Sequence, residues 1–361
     1  MRIVTIVCWI ISAIVLVGLA VWFLNGSVFG VWPGGWNSNW FSVINIGGWE
    51  VLSGPYKAVG EYSYGVTSVD SLNIDWISGE VTVKPYDGND IRITEFAQRD
   101  LRENERLYVS TLSGTLTVKY IERSNSFKMP QKKLEVLIPR ALSENLKKLT
   151  ADNVSGAVII ENAGADALST STMSGSINIS NSTAQTLYVD STSGSLTVVD
   201  VRADSMELNS MSGSIRISES TAKTLDCNTT SGSVNVSGVF DSVKQSSMSG
   251  RLSLENFASV STVKADTTSG SLDLSGSFNS VNADSMSGSI TITSTIIPGA
   301  LTADTTSGSI TVKVPNDGAI TVDHSSVSGR FSSDIPVVMQ KSGAQFKLSS
   351  MSGSTRIIEL N

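Results

Sequence analysis

The 361-residue chain has a formal net charge of −7, and only 16% of its residues are charged. This acidic balance, without any Lys/Arg run, gives no electrostatic footprint for nucleic acid and excludes it as an expected partner. Serine, threonine, glycine and valine are abundant, which favours strands and tight turns over helices.

The N-terminus contains a long apolar run. Residues 3–24 carry no charge and are long enough to cross the hydrocarbon core of a bilayer as a helix. Arg2 precedes the run and the next basic residue is Lys57, so the positive-inside bias places the bulk of the chain outside the cytoplasm. We predict a transmembrane anchor at 1–25 and a single-pass protein of the cell membrane. A cleaved signal peptide is the alternative, although no convincing small-x-small site follows the run.

Residues 26–65 are rich in glycine and tryptophan, with Trp32, Trp36, Trp40 and Trp49 among them. Tryptophan favours the membrane–water interface, which predicts a juxtamembrane segment on the bilayer surface. A flexible linker whose aromatic rings pack on the following domain is the other interpretation. Residues 66–149 show short alternating strands separated by charged connections, and they predict an irregular β cap for the repeats that follow.

From residue 150 to 361 the chain is a repeat. Ser-Gly pairs recur at intervals of roughly 20 residues, a period that marks a solenoid. Apolar residues stand two and four places after the glycine in most units, for example Ile177 and Ile179, and another stands seven places before it, as in strands with one buried face. The sequence thus predicts an all-β fold: a β-solenoid of about 19-residue units with Ser-Gly corners, preceded by one transmembrane helix. The predicted corner glycines are Gly156, Gly175, Gly194, Gly213, Gly232, Gly250, Gly270, Gly288, Gly308, Gly329 and Gly353.

A second period is superimposed on the first. The residue two places before the glycine alternates between methionine and threonine from Met173 to Thr306. The simplest geometry is one full turn of about 38 residues per two units, with methionine and threonine on opposite sides. One turn per unit is the alternative, and it would interleave both residue types in a single stack.

The repeated SGSIxI and ADTTSGSLxV units, the LEVLIP segment before them and the single apolar N-terminal segment resemble the bacterial DUF4097 family. The resemblance covers about residues 66–361. Members of that family are described as adhesin-like and are related to the toast-rack domains of envelope-stress proteins. The resemblance implies an extracytoplasmic β-helix-like domain, and the family supplies no catalytic motif.

Candidate chemistry in the repeats is sparse. Asp190, Asp266, Asp284 and Asp304 stand four places before their glycines, and stacked on alternate rungs they would form a calcium-binding or glycan-facing row. Turn capping by the same carboxylates is the simpler interpretation. The one histidine, His324, cannot build a metal site alone, and Cys227 occupies a position of small buried residues. We therefore expect no catalytic, metal or cofactor-binding residue.

These observations leave two non-enzymatic functions. The first is a membrane-anchored scaffold or protein-interaction module outside the cytoplasm, with a role in envelope-stress sensing. The second is an adhesin-like module that binds glycan or cell-wall polymer. A polysaccharide-active β-helix enzyme is the remote alternative, since such enzymes need clustered carboxylates or basic residues.

Overall fold

The computed structural model describes residues 49–50, 55–121, 129–338 and 343–360. The predicted transmembrane helix at 1–25 and most of the Gly/Trp-rich segment lie outside the described residues. Among the residues that are described, no helix is long and apolar enough to cross a membrane.

The described residues are almost entirely strands. Strands of the N-terminal part are β1 (Trp49–Glu50), β2 (Lys57–Gly65), β3 (Ser71–Ser78), β4 (Val81–Tyr86), β5 (Asp90–Ala97), β6 (Tyr108–Leu112), β7 (Thr115–Lys119), β8 (Met129–Pro130) and β9 (Lys132–Pro139), with a 3-10 turn at Glu103–Glu105 and a helical turn α1 at Arg140–Ser143. The repeats form β10 (Leu146–Ser155), β11 (Val158–Glu161), β12 (Gly164–Ser174), β13 (Ile177–Ser191), β14 (Leu196–Ser210), β15 (Ile215–Thr229), β16 (Val234–Ser247), β17 (Leu252–Thr267) and β18 (Leu272–Ser285). The C-terminal strands are β19 (Ile290–Ser294), β20 (Ala300–Thr305), β21 (Ile310–Val314), β22 (Ile320–Ser328), β23 (Phe331–Ser333), β24 (Val337–Val338), β25 (Ala344–Ser352) and β26 (Thr355–Glu359).

Each central rung is one long bent strand followed by a four-residue corner. In β13, Ile177, Ile179, Leu187 and Val189 are buried, whereas Asn178 and Tyr188, which stand between the members of each pair, are more exposed. This is the two-residue period of a strand with one buried face. The stacked rungs bury these apolar positions in a continuous hydrophobic core, which confirms the predicted all-β solenoid.

Neighbouring rungs pair in parallel, with each residue opposite its counterpart one repeat later. Ile177 pairs with Leu196, and Leu196 pairs with Ile215. One repeat of about 19 residues is therefore one turn, and the prediction of one turn per two repeats is wrong. Methionine and threonine occupy the same exposed position on successive rungs, so nothing in their own packing requires a longer turn.

A second corner stands six residues after the glycine in the first regular rungs. Its residue has a left-handed backbone, with φ between 49° and 54° at Asn162, Asn181, Asp200 and Glu219. Asparagine and aspartate tolerate this conformation better than most residues that carry a side chain. The strand bends there and continues along another side of the rung.

The last rungs do not stack in chain order. Strand β25 pairs with β20 on one side and with β22 on the other, and β26 likewise lies between β21 and β23. The rung formed by β22 and β23 is thus the outermost one, although it precedes β25 in the sequence. Strand β24, next to Pro336, pairs with the first two residues of β22.

The N-terminal cap changes from parallel to antiparallel pairing. Strands β3 and β4 form the first rung beneath β10 and β11, and they pair in turn with β7 and β9. Strands β5, β2 and β6 then add in antiparallel fashion. Strand β2, at the end of the predicted segment 26–65, pairs with β5 of the cap, and parallel rungs are already present at β3 and β4, within the predicted cap 66–149.

A buried ion pair fastens this cap. The Lys132 ammonium lies 2.8 Å from Glu95 Oε1, and both side chains are fully buried. Lys132 also donates to the carbonyl oxygens of Glu105 and Tyr120, and its ammonium lies 5.1 Å from the ring centroid of Trp76. Burial lowers the pKa of Lys132 to about 8, against the opposing effect of Glu95.

Candidate functional site: the corner ridge and the outer columns

A column of glycines runs along the Ser-Gly corner. An ideal Cβ on each glycine from Gly156 onward would lie only 1.5–2.2 Å from the carbonyl oxygen of the glycine in the rung beneath. Positive φ is confined to Gly79 and Gly156 within the column, so close approach of the rungs, and not an unusual backbone angle, requires glycine. The column begins with Gly79, which was not among the predicted corner glycines. The eleven predicted ones follow in the spatial order Gly156, Gly175, Gly194, Gly213, Gly232, Gly250, Gly270, Gly288, Gly308, Gly353 and Gly329.

Buried hydroxyl groups connect successive glycines. Three residues before Gly250, the hydroxyl oxygen of Ser247 accepts a hydrogen bond from the Gly250 N–H at 2.8 Å. The same hydroxyl donates to the carbonyl oxygen of Gly232 in the preceding rung at 3.3 Å. This two-sided contact recurs at Ser210, Thr229, Thr267 and Ser285. The corner is therefore linked along the stack by side chains as well as by backbone.

The outermost side chains of the corner form a ridge of alternating methionine and threonine. We define the corner ridge as Val154, Met173, Thr192, Met211, Thr230, Met248, Thr268, Met286, Thr306, Met351 and Val327, in spatial order. Its five methionines are 38–60% exposed. The ridge holds seven of the fourteen exposed large apolar or aromatic side chains among the described residues.

Alternation along the ridge follows the stack and not the chain. In sequence, Thr306 is followed by Val327 and then by Met351. In space, the rung of Met351 lies between the other two, because β25 and β26 are inserted there. Methionine and threonine therefore alternate on every successive rung from Met173 to Met351, across the place where chain order and rung order differ.

The positions on either side of the corner glycine are mostly serines, and the backbone there is paired. Serine stands one place before the glycine in all eleven repeats. Corner amides bond to the rung beneath, as in Ser231 N–H to the Met211 carbonyl at 3.0 Å. One place after the glycine, serine is replaced by a charged residue at Arg251, which is paired with Asp273 at 2.7 Å, and at Arg330. A partner that binds at this corner would therefore contact mainly side chains, because the backbone amides are already hydrogen-bonded within the stack.

The predicted aspartate row is only partly contiguous. Asp266, Asp284 and Asp304 lie on three consecutive rungs, and not on alternate ones as expected. Burial and the two neighbouring carboxylates raise the pKa of Asp284. Asp190 is separated from this group by the rungs of Asn209, Asn228 and Ser246, and burial is the main cause of its raised pKa. In the described part of the chain, no group of three or more His, Cys, Asp or Glu side chains is arranged to hold a metal ion.

The remaining candidate residues are structural. Cys227 is fully buried, and burial raises the pKa of its thiol. His324 belongs to the outermost rung, where its ring centroid lies 5.0 Å from that of Phe331. A shallow groove of about 240 Å³ crosses the strands after the glycine corner and is lined by polar residues such as Arg216, Asn235 and Glu255.

Several residues of this region were missed by sequence reasoning. The buried hydroxyls three places before the glycine could have been found, because serine or threonine occupies that position in nearly every repeat. The Lys132–Glu95 pair carries no repeat signal and could not have been found in that way. Gln245 is also buried within the core column that contains Cys227, and its amide has no partner.

A stack of single-repeat rungs around an apolar interior, with a glycine column at one corner, defines the class of protein as a β-solenoid. The family model described as "Toastrack DUF4097" matches residues 69–239 and 221–357. The chain therefore belongs to the Toastrack DUF4097 family, as the resemblance of its repeats predicted.

Comparison with solved structures and curated proteins adds little about function. A "putative adhesin" from Parabacteroides distasonis ATCC 8503 is 13% identical, with 84% of this chain and 97% of that chain covered and a TM-score of 0.42. A "putative lipid binding protein" from the same organism is 16% identical, with coverages of 82% and 96% and a TM-score of 0.37. A "putative adhesin" from Bacteroides fragilis NCTC 9343 is 14% identical, with coverages of 85% and 98% and a TM-score of 0.33. No curated protein matches the chain.

Proposed function

We propose that the chain is a non-catalytic scaffold, anchored in the cell membrane by residues 1–25, whose solenoid binds a protein partner outside the cytoplasm. The observation that carries the proposal is the uninterrupted stack of rungs. It arranges the outward side chains in columns, in which residues of neighbouring rungs are about 4.8 Å apart. Such a rod offers an extended, rigid binding surface of the kind that solenoid proteins use.

The distribution of aromatic side chains favours a protein partner over a glycan. Sugar rings stack on exposed aromatic faces, and an extended glycan needs several of them in line. Within the repeats, Phe240 and Phe278 are fully buried, while Tyr188 and Phe257 are exposed. The two exposed rings lie in different columns of the rung and do not form one platform.

Membrane anchoring and orientation rest on the sequence. The uncharged run at 3–24 is long enough to span a bilayer, and the absence of basic residues between it and Lys57 favours export of the following domain. A role in envelope-stress sensing is part of the proposal, and membership of the Toastrack family supports it.

The proposal is tested with the full chain in native membranes. A photo-activated crosslinker is placed at Ser231, which is exposed beside the corner, or at Thr197 on an outer strand face. We expect a specific membrane or envelope protein to be captured from one position and not from a matched position outside the rungs, such as Gly65. Crosslinks to polymer alone would refute a protein partner.

Orientation is tested separately with a cysteine substituted for Ser231 and a membrane-impermeant thiol reagent. Labelling in intact cells is expected if the domain is outside the cytoplasm. Labelling only after the membrane is opened would refute the localisation. Cys227 is a natural internal control, because the folded domain buries its thiol completely.

A polymer-binding adhesin is the second candidate, favoured by the half-exposed carboxylates of Asp266, Asp284 and Asp304 and by the serine and threonine columns beside them. Saturable binding of purified cell-wall polymer to the full chain, weakened when these aspartates are changed to alanine, would support it over the scaffold.

A further inference from the structure

We infer that the outermost rung, formed by β22 and β23, is a strand-addition site, on which an extended segment of a partner protein packs as one further rung. The segment is recognised by a serine or threonine three places before a glycine and by an acidic residue three places after that glycine. The inference names the docking site of the protein partner proposed above and rests on that proposal.

The hydrogen bonds of the corner all run in one direction along the stack. The serine before the corner glycine donates its N–H to the ridge residue of the rung beneath, as Ser352 does to the Thr306 carbonyl at 3.0 Å. The carbonyl of the corner glycine accepts from the buried hydroxyl of the next rung, as Gly308 does from Ser350 at 3.1 Å. The regular rungs therefore point their corner carbonyls toward the end formed by β22 and β23.

On the outermost rung these groups are left unpaired. Within the described ranges, no group donates to the outward carbonyl oxygens of Val327 and Gly329. After the corner, the N–H two places beyond the glycine donates to the next rung outward, as from Thr355 to the Arg330 carbonyl at 2.9 Å. The corresponding N–H of Phe331 has no described rung to donate to, and β24 pairs with only the first two residues of β22. Such an unpaired backbone edge is a template for a further strand.

The shape of the corner selects the sequence of that strand. A Cβ at the corner of a stacked rung would lie 1.5–2.2 Å from the carbonyl oxygen beneath, so the residue above Gly329 has to be glycine. A serine or threonine three places earlier would donate to the Gly329 carbonyl, as Thr305 does to the Gly288 carbonyl at 3.2 Å. The added strand would also supply a carbonyl oxygen to the N–H of Phe331.

Arg330 adds a requirement for charge. It stands one place after its glycine, is exposed, and has no acidic partner in the described part of the chain. Arg251 holds the same place in an inner rung, where its guanidinium pairs with Asp273 of the next rung outward at 2.7 Å. Asp273 stands three places after Gly270. An acidic residue at the same place in the added strand would therefore pair with Arg330.

The direction of these bonds also excludes a second copy as the occupant. Two copies joined through their outermost rungs would both present corner carbonyls, and neither would supply the N–H and hydroxyl donors that the other needs. A head-to-tail contact has no open rung to use, because β7 and β9 cover the rung of β3 and β4 at the other end. The occupant is thus an extended segment of a different protein.

The first test uses a synthetic peptide with the sequence of residues 262–278 of this chain as the probe. It holds Thr267, Gly270 and Asp273 at the required spacing. Fluorescence anisotropy measures its binding to the full chain in detergent, and hydrogen exchange read by mass spectrometry locates the site. We expect saturable binding and several-fold slower exchange within residues 326–333. A lack of saturable binding, or protection confined to the cap strands β2 and β6, would overturn the inference.

An exchange of charges separates specific docking from general adhesion between strands. Arg330→Glu is expected to weaken peptide binding several-fold, and a peptide with Asp273→Lys is expected to restore it. Arg216→Glu, which lies away from the outermost rung, should leave binding unchanged. A peptide with Gly270→Val should not bind, because its side chain would meet the Gly329 carbonyl. Binding that responds neither to the charge at Arg330 nor to the loss of glycine would overturn the proposed recognition.

Crosslinking in native membranes distinguishes this inference from the proposed function. A photo-activated crosslinker at Val327, which is 83% exposed, should capture the same protein as one at Ser231 or Thr197. The crosslinked segment should carry the expected spacing of hydroxyl, glycine and acidic residue. A protein captured at Ser231 or Thr197 but never at Val327 would overturn the inference and leave the proposed function standing. Peptide binding to the outermost rung without capture of a protein from any position would refute the proposed partner and support the strand-addition site.

Discussion

Replacing Gly232 with alanine tests the glycine column directly. The new Cβ would lie 1.9 Å from the carbonyl oxygen of Gly213 and 2.6 Å from its carbonyl carbon. Both atoms belong to the hydrogen-bonded backbone of the rung beneath. The clash therefore cannot be relieved by rotating a side chain. The two rungs would have to separate by about 1 Å at this corner, and overpacking of this kind costs about 1–3 kcal/mol.

Separation would also weaken the hydrogen bonds at the corner. The Gly232 N–H donates to Thr229 Oγ1 at 3.0 Å, and the same hydroxyl donates to Gly213 at 3.4 Å. Only the second of these bonds joins the two rungs, and its loss costs about 1 kcal/mol. We expect Gly232→Ala to lower the free energy of unfolding by about 2–4 kcal/mol, and Gly232→Val to lower it further.

Urea denaturation of the full chain in detergent, followed by circular dichroism, measures the change. Gly65→Ala is the matched control, because no atom lies within 4 Å of its added Cβ. That variant should be neutral or slightly stabilising, by less than about 1 kcal/mol. If Gly232→Ala unfolded within about 0.5 kcal/mol of Gly65→Ala, close approach of the rungs would not be the reason for glycine at the corner.

Three further predictions concern buried or stacked polar groups. Gln245 is fully buried and its amide lacks partners, so Gln245→Leu should raise the urea midpoint and stabilise the domain by about 1–2 kcal/mol; a lower midpoint would contradict this. The folded-state pKa of Asp284 lies above its usual value of 3.8, so stability falls as rising pH ionises it; Asp284→Asn should stabilise the protein at pH 7 by about 0.5 kcal/mol or less after solvent screening, with no gain well below pH 3.8. The pKa of Lys132 falls from 10.5 to about 8 on folding, so between these values the unfolded chain binds the extra proton and stability should rise with pH. In Lys132→Met that rise should be absent from the stability–pH profile measured by urea titration; an identical slope would show that another group causes it.

The repeat made most of the fold predictable. Glycines, apolar positions and strand alternation recur at fixed spacing, so the all-β solenoid and its corner followed from the sequence. The length of a turn did not, because the alternating residues Met211 and Thr230 are both at the surface and carry no information about the core. The second corner was also missed, since its residue varies among Asn181, Asp200 and Glu219 and only the backbone angle is shared.

Features that occur once were beyond sequence reasoning. Insertion of β25 and β26 beneath an earlier rung depends on contacts between strands that have equivalent patterns, so the sequence cannot rank the two stacking orders. The Lys132–Glu95 pair depends on the antiparallel pairing of β5 with β9 in the cap. For the candidate site, the stacked rungs show that Asp266, Asp284 and Asp304 are adjacent while Asp190 is apart.

The inserted rung of β25 and β26 gives the two parts of the stack different tolerance for added or deleted repeats. Repeats from β12 to β18 stack on the rung that precedes them in the chain, so whole units could be duplicated or deleted there with the same contacts restored. Beyond β21 the chain first forms the rung of β22 and β23, and β25 and β26 then lie between that rung and β20 and β21, so a unit added here would not stack on the rung that precedes it in the chain. The number of repeats can therefore change with the same contacts restored only before the inserted rung of β25 and β26. Adding or deleting one repeat would place two methionines or two threonines on neighbouring rungs of the corner ridge. Adding or deleting two repeats would keep the alternation up to Met351 on the inserted rung.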